Sequence, residues 1–242
     1  MKKFIFLAMA LIAAISANAQ NIQLHYDLGR NIYPDEEAGR QKVTMTVEQF
    51  KADEWGSWFY FVDVDFSRKF TEGAYAEISR EFNLGKTSPF AAHIEYDGGL
   101  NLGGSFQQSA LIGPAWNGHN ADFSTTYSIQ AMYKQYFKSY SYTHAYASFQ
   151  LTGVWSTTFA NKALTFSGFA DLWRGEDWRD GHGQLVFLTE PQLWYNLNTI
   201  NGLKKTHLSI GTEVEISNNF VYNTYNKKSF FVNPTIALKW AF

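Results

Sequence analysis

From Ile22 almost to the C-terminus the chain alternates apolar and polar residues. Ile22, Leu24 and Tyr26 stand between Gln23, His25 and Asp27, the period-two pattern of a strand with one apolar and one polar face. Val43, Met45 and Val47 then oppose Lys42, Thr44, Thr46 and Glu48, and Trp58, Tyr60, Val62, Val64 and Phe66 oppose Phe59, Phe61, Asp63 and Asp65. A fourth run sets Ala74, Ala76, Ile78 and Phe82 against Tyr75, Glu77, Ser79 and Glu81. A fifth sets Phe90, Ala92, Ile94 and Tyr96 against His93, Glu95 and Asp97. The sixth, Phe106 to Ile112, is less regular, and the seventh carries Phe123, Tyr127, Ile129, Ala131 and Tyr133.

The eighth runs through Ala145, Ala147, Phe149 and Leu151, with Tyr142, His144, Tyr146, Ser148 and Gln150 behind. Leu164, Phe166, Ala170 and Leu172 oppose Thr165, Ser167, Phe169, Asp171 and Trp173 in the ninth. In the tenth, Leu185, Phe187, Leu193 and Tyr195 oppose Glu190, Gln192, Trp194 and Asn196, and Pro191 predicts a bulge because it cannot donate to a ladder. Leu208, Ile210, Val214 and Ile216 oppose His207, Ser209, Glu213, Glu215 and Ser217. The last strand sets Phe230, Val232, Ile236, Leu238, Trp240 and Phe242 against Asn233, Thr235 and Lys239. The count is twelve, an even number, and ten residues tilted about 40° cover roughly 25 Å, the apolar height of an outer membrane.

The expected fold is therefore an all-β transmembrane antiparallel barrel of about twelve strands, in one domain over residues 20–242. Turn chemistry at Asp97-Gly98-Gly99 and Asn201-Gly202 punctuates it. Residues 1–19 read as a cleaved signal peptide: Lys2 and Lys3, an apolar run from Phe4 to Ile15, and Ala17-Asn18-Ala19 at the cleavage site. If both termini are periplasmic, the long connectors Asn31 to Gln41, Arg174 to Gly183 and Asn218 to Lys228 lie outside. Pro114 to Ala121 and Trp155 to Lys162 would then be long periplasmic turns. Tyr26, Trp58, Tyr60, Phe66, Tyr96, Tyr133, Tyr195 and Trp240 lie on the apolar face, many near strand ends, as an aromatic girdle at headgroup level requires. The rival fold is a secreted β-sandwich whose aromatics fill a core.

Composition sharpens the picture in three ways. Without cysteine there is neither a lipoprotein anchor nor a disulfide framework. Removing residues 1–19 leaves 18 basic and 22 acidic residues, a net charge of −4, which argues against nucleic acid as partner. On the polar face stand twelve acids: Asp27, Glu48, Asp63, Asp65, Glu77, Glu81, Glu95, Asp97, Asp171, Glu190, Glu213 and Glu215. Only Lys42, Lys134 and Lys239 oppose them there. A narrow bore so charged repels anions and favours neutral or cationic solutes. Arg80 falls on the apolar face, which demands either an interfacial position or a different register.

Several segments resemble the Tsx-type nucleoside-specific channels of the outer membrane. They are Glu48-Gln49-Phe50 with Asp53-Glu54-Trp55, Trp58-Phe59-Tyr60-Phe61 and Asp63; Ala76-Glu77-Ile78 with Phe82; and Leu164 to Asp171 leading to Trp173, Glu176 and Asp177. The resemblance implies a monomeric twelve-stranded barrel that passes nucleosides, although this chain is shorter, with smaller loops. The expected substrate-binding residues are Phe61, Asp63, Asp65, Tyr75, Glu77, Phe169, Asp171, Trp173, Glu190 and Trp194. The expected partners are outer-membrane lipid, a small solute, and the barrel-assembly machinery through terminal Phe242. No cofactor, metal or catalytic residue is expected. The alternatives are a closed structural or adhesion barrel, and a lipid hydrolase built on His207-Leu208-Ser209, the spacing outer-membrane phospholipases use. His93 with Glu95 could ligate a metal, but two ligands make no site.

Overall fold

The computed structural model describes residues 20–67, 70–139, 143–177, 181–221, 223 and 225–242. Residues 1–19, expected to be a signal peptide, and Tyr142 lie outside them. Twelve antiparallel strands follow one another around a closed ring: β1 Gln20–Asp27, β2 Val43–Asp53, β3 Gly56–Phe66, β4 Thr71–Asn83, β5 Phe90–Asn101, β6 Ser109–His119, β7 Thr125–Tyr136, β8 Tyr146–Phe159, β9 Leu164–Glu176, β10 in two arms, Gly183–Thr189 and Gln192–Asn196, β11 Leu208–Asn218 and β12 Phe230–Ala241. Closure is made by β12 against β1, from Asn21 opposite Ala241 to Asp27 opposite Thr235. A closed ring leaves no unpaired edge, so the backbone can sit in hydrocarbon with its polar groups satisfied.

The alternation settles which side chains point where. Leu24, Tyr26, Ile78, Ile94, Ile112, Ile129, Leu151, Ile210, Ile236 and Leu238 stand exposed on the outside, while Gln23, His25, His93, Gln130, Lys134, Ser217 and Asn233 are buried inside. That is a core of polar groups inside an apolar coat, the reverse of a water-soluble sandwich. Outward aromatics collect at two levels: Trp58, Phe90, Trp116, Tyr195 and Trp240 toward the rim that holds both chain ends, and Tyr26, Tyr133, Phe149, Phe187 and Phe230 toward the far rim.

The connectors depart from expectation in instructive places. The sixth strand is Ser109–His119 rather than Phe106 to Ile112, so Pro114 lies on its exposed outward side, and the following turn shrinks to 120–124. That turn is closed by side chains, Asn120 Oδ1 accepting from Thr125 N (2.9 Å) and Asp122 Oδ1 from Ser124 N (3.2 Å). Phe123 belongs to it, with φ of 56°. The eighth strand likewise runs on to Phe159, leaving Ala160, Asn161 and Lys162 as a turn at positive φ. Asp97-Gly98-Gly99 is strand, not turn, because β5 continues to Asn101 and pairs briefly with Gly104–Ser105. β9 extends to Glu176, which shortens the loop expected from Arg174 to Gly183. With these shifts, connectors at the terminal rim run from two residues (54–55) to eleven (197–207), and those at the far rim reach fifteen (28–42).

Pro191 breaks the ladder of β10 without adding a residue. Thr189 pairs Ala170 and Gln192 pairs Ser167, so two residues oppose two and the register continues. The expected bulge is thus an in-register interruption, in which Val214 N donates to the Pro191 carbonyl (3.0 Å) and Glu190 N to that of Phe169 (3.1 Å).

Candidate functional site

The bore is furnished by every second residue of each strand, so its chemistry follows from the alternation. On β2 and β3, Thr44 Oγ1 donates to Asp65 (2.7 Å) and Thr46 Oγ1 to Asp63, a cross-strand ladder that turns the carboxylates inward. Beside it, Tyr75 donates to Glu77 (2.8 Å), and Phe59, Phe61, Tyr75 and Phe106 follow one another at ring separations of 6.1–6.2 Å. Glu77, Glu95 and Asp97 bring carboxylate oxygens within 4.8 Å of one another. Basic side chains adjoin this group, Lys134 Nζ at 3.1 Å from Asp97 and the His93 ring between Glu81 and Glu95, 3.2 Å from each. His93 is therefore held between two carboxylates.

Across the bore Thr152 donates to Asp171. Glu190, at the break in β10, lies within electrostatic reach of Glu213, Glu215 and Asp63. All the expected site residues thus face the interior, but they divide into groups. Phe61, Asp63, Asp65, Tyr75, Glu77, Phe169, Asp171, Trp173 and Glu190 keep part of their surface accessible. Trp194 does not: its exposure is 0%, with Lys239 Nζ 4.1 Å above the ring, His25 at its edge and its indole N–H on Gln192 (2.8 Å). It fills the barrel instead of lining a passage. Gly211 makes room for it, since a Cβ there would stand 2.6 Å from the indole. Trp173 sits higher, toward the far rim, where it meets Phe220 and borders a cavity of about 250 Å3 with Tyr136, Tyr146 and Gln184.

The cation missing from the sequence reading is Arg40. The first connector folds inward through a one-turn helix, α1 Gly29–Ile32, packs Tyr33 edge-on against Phe231, and delivers Arg40 to Asp27 (2.9 Å) and Glu215 (2.8 Å), with Glu37 at 3.8 Å. Burial opposes the charge on Arg40, but the carboxylates of Glu215 and Asp27 outweigh it and hold the guanidinium more firmly protonated than usual. No strand periodicity could place this arginine, because it enters from a loop. Lys42, expected inside, instead reaches the exposed Asn31 at the far rim (3.4 Å).

With this geometry established, relatives can be assessed. The family described as "Domain of unknown function (DUF5020)" matches residues 19–242. The chain belongs to the DUF5020 family. No curated protein matches it in sequence. In structure this DUF5020 barrel is similar to the NanC porin, with a TM-score of 0.58 and 13% identity over 92% of this chain and 99% of that one. It is also similar to the KdgM porin, with a TM-score of 0.50 and 11% identity over 93% and 99%. At such identities the likeness establishes the fold of outer-membrane porins and nothing finer. The Tsx-type resemblance is not what the family match returns.

Proposed function

We propose that this DUF5020 barrel is an outer-membrane channel for passive diffusion of small neutral and cationic solutes, oriented with its chain ends in the periplasm. The observation that carries this reading is the charge of the bore. Twelve acids on the strands turn inward, and the Lys and Arg side chains that reach them among the described residues are Arg40, Lys134 and Lys239. Such walls focus a negative potential along the axis and exclude anions. Nucleosides, the solutes implied by the Tsx-type resemblance, are neutral and planar, and the Phe59–Phe61–Tyr75–Phe106 series offers stacking faces beside hydrogen-bonding acids. The exposed Phe242, its ring tilted against Trp240 at 4.6 Å, suits recognition by the assembly machinery.

A closed structural barrel is the second reading. Its support is the set of inward side chains with almost no accessible surface, namely Leu111, Met132, Trp194 and Phe231, together with the inserted first loop. A lipid hydrolase finds no such support, since Ser209 donates to Asn196 Oδ1 (2.9 Å) and His207 occupies the preceding turn at φ 55°.

Planar-bilayer recording under a salt gradient separates the two main readings. The channel reading expects conductance with a reversal potential of cationic sign, reduced in Glu77→Gln and Asp171→Asn. Folded protein that conducts nothing, or passes anions in preference, refutes it.

A further inference from the structure

Inside the far mouth, the carboxyl group of Glu37 lies against the side-chain amide of Asn233. Asn233 Nδ2 donates to Glu37 Oε1 (2.8 Å) and to Glu215 Oε1 (3.2 Å). Those two contacts fix which end of the amide is nitrogen, because the reversed amide would press its carbonyl oxygen against two carboxylate oxygens. The remaining amide atom, Oδ1, is therefore an acceptor with no proton of its own to offer the second oxygen of Glu37. Both Asn233 Oδ1 and Glu37 Oε2 are buried there without a hydrogen-bond partner. Both border Gly29, 2.7 and 2.6 Å from where its Cβ would stand, with Asp27 Oδ1, which already accepts from Gly29 N, at 2.9 Å. Two buried acceptors with no donor are costly, and the residues are almost inaccessible, Glu37 at 3% and Asn233 at 0%.

We propose that Glu37 carries a proton at neutral pH and that its Oε2–H donates to Asn233 Oδ1, closing a two-bond acid–amide ring that latches the first loop inside the barrel mouth. Loss of that proton releases the loop. The charged surroundings support this. Facing Glu37 are Arg40 of its own loop, Asp27 of β1 and Glu215 of β11, so three carboxyl groups share one guanidinium. Tyr33 packs below on Phe231, and above it Lys228 covers the Tyr33 ring at 3.7 Å while Asn226 bonds Glu36. The direction of titration agrees: burial raises the Glu37 carboxyl above its ordinary range, opposed by Arg40 and by the Asn233 bond, and Glu215 and Asp27 raise it further. A group whose native-state value is raised stabilises the docked loop below its unfolded value, and that contribution is lost as pH rises through the raised one.

The latch requires only the barrel; its effect on passage rests on the channel reading, so the test follows the loop and not conductance. The chain has no cysteine, and a Cβ on exposed Gly39 would meet nothing within 4 Å. A spin label on Gly39→Cys therefore reports the loop cleanly. In detergent-folded protein the label should be restrained at neutral pH and become mobile on alkalinisation. Glu37→Gln, whose amide supplies the missing donor permanently, should stay restrained throughout, and Asn233→Leu should be mobile throughout. Titration of Glu37→Gln like the parent, or a parent label insensitive to pH, overturns the proposal. Infrared difference spectra of parent minus Glu37→Gln at neutral pH decide it independently, since the latch requires a protonated-carboxyl carbonyl band and a carboxylate band in its place refutes it.

Discussion

Arg80 is the residue that the alternation cannot accommodate, and its surroundings explain why it is tolerated. It points outward yet is only 5% exposed, because its guanidinium forks onto Asp53 (2.7 and 2.8 Å) and lies 5.0 Å from the rings of both Trp58 and Phe82. Asp53 ends β2 at the tight turn of the terminal rim, so the pair lies at the end of the apolar band and not in its middle, where an outward charge would cost most. A bidentate, ring-flanked arginine should matter more than an ordinary surface pair. Arg80→Ala is expected to lower stability by about 1.5–3 kcal/mol. Arg80→Lys should recover less than half of that, since an ammonium cannot form the fork. Urea unfolding in detergent micelles measures both, and a loss below about 0.5 kcal/mol would reduce the pair to a solvated contact.

At the scale of the element, β10 shows how a strand survives a proline. Its two arms keep register because the neighbouring strands close over the gap, and Gly168 of β9 is the accommodation on one side. With φ of 153°, this glycine stands where a Cβ would come within 2.6 Å of the Glu190 carbonyl and 3.0 Å of Pro191 Cα. Gly153 on the adjacent β8 is a natural control, as a Cβ there meets nothing. Gly168→Ala should cost about 1–3 kcal/mol. Gly153→Ala should be neutral or stabilise by up to about 1 kcal/mol. Equal midpoints in a denaturant series would mean that the break needs no glycine opposite it.

For the whole molecule, closure is the consequential fact. Twelve strands joined by β12 to β1 turn an apolar face into an outer coat that water cannot stabilise, with Leu24, Ile112, Ile236 and Leu238 all near half exposed. The folded chain should accordingly require detergent or lipid, and should migrate differently in gels before and after boiling. A species that stays folded, dispersed and monomeric in plain buffer contradicts the barrel reading.

Strand number, the acid character of the bore and most inward and outward assignments, Lys42 and Phe123 excepted, were legible in the sequence, because alternation is a local property that each strand displays on its own. Asp63, Glu77, Asp171 and Glu213 are inward for that reason alone. Turn limits were less legible: Pro114 and Trp155 look like turn and are strand, since ladder pairing with neighbours outweighs local preference. What only the tertiary structure decided is which distant groups meet. Glu37 faces Asn233 across 196 positions of chain and Arg40 reaches Glu215 across 175. Those meetings depend on the circumference closing and on a loop turning inward, neither of which a one-dimensional pattern encodes.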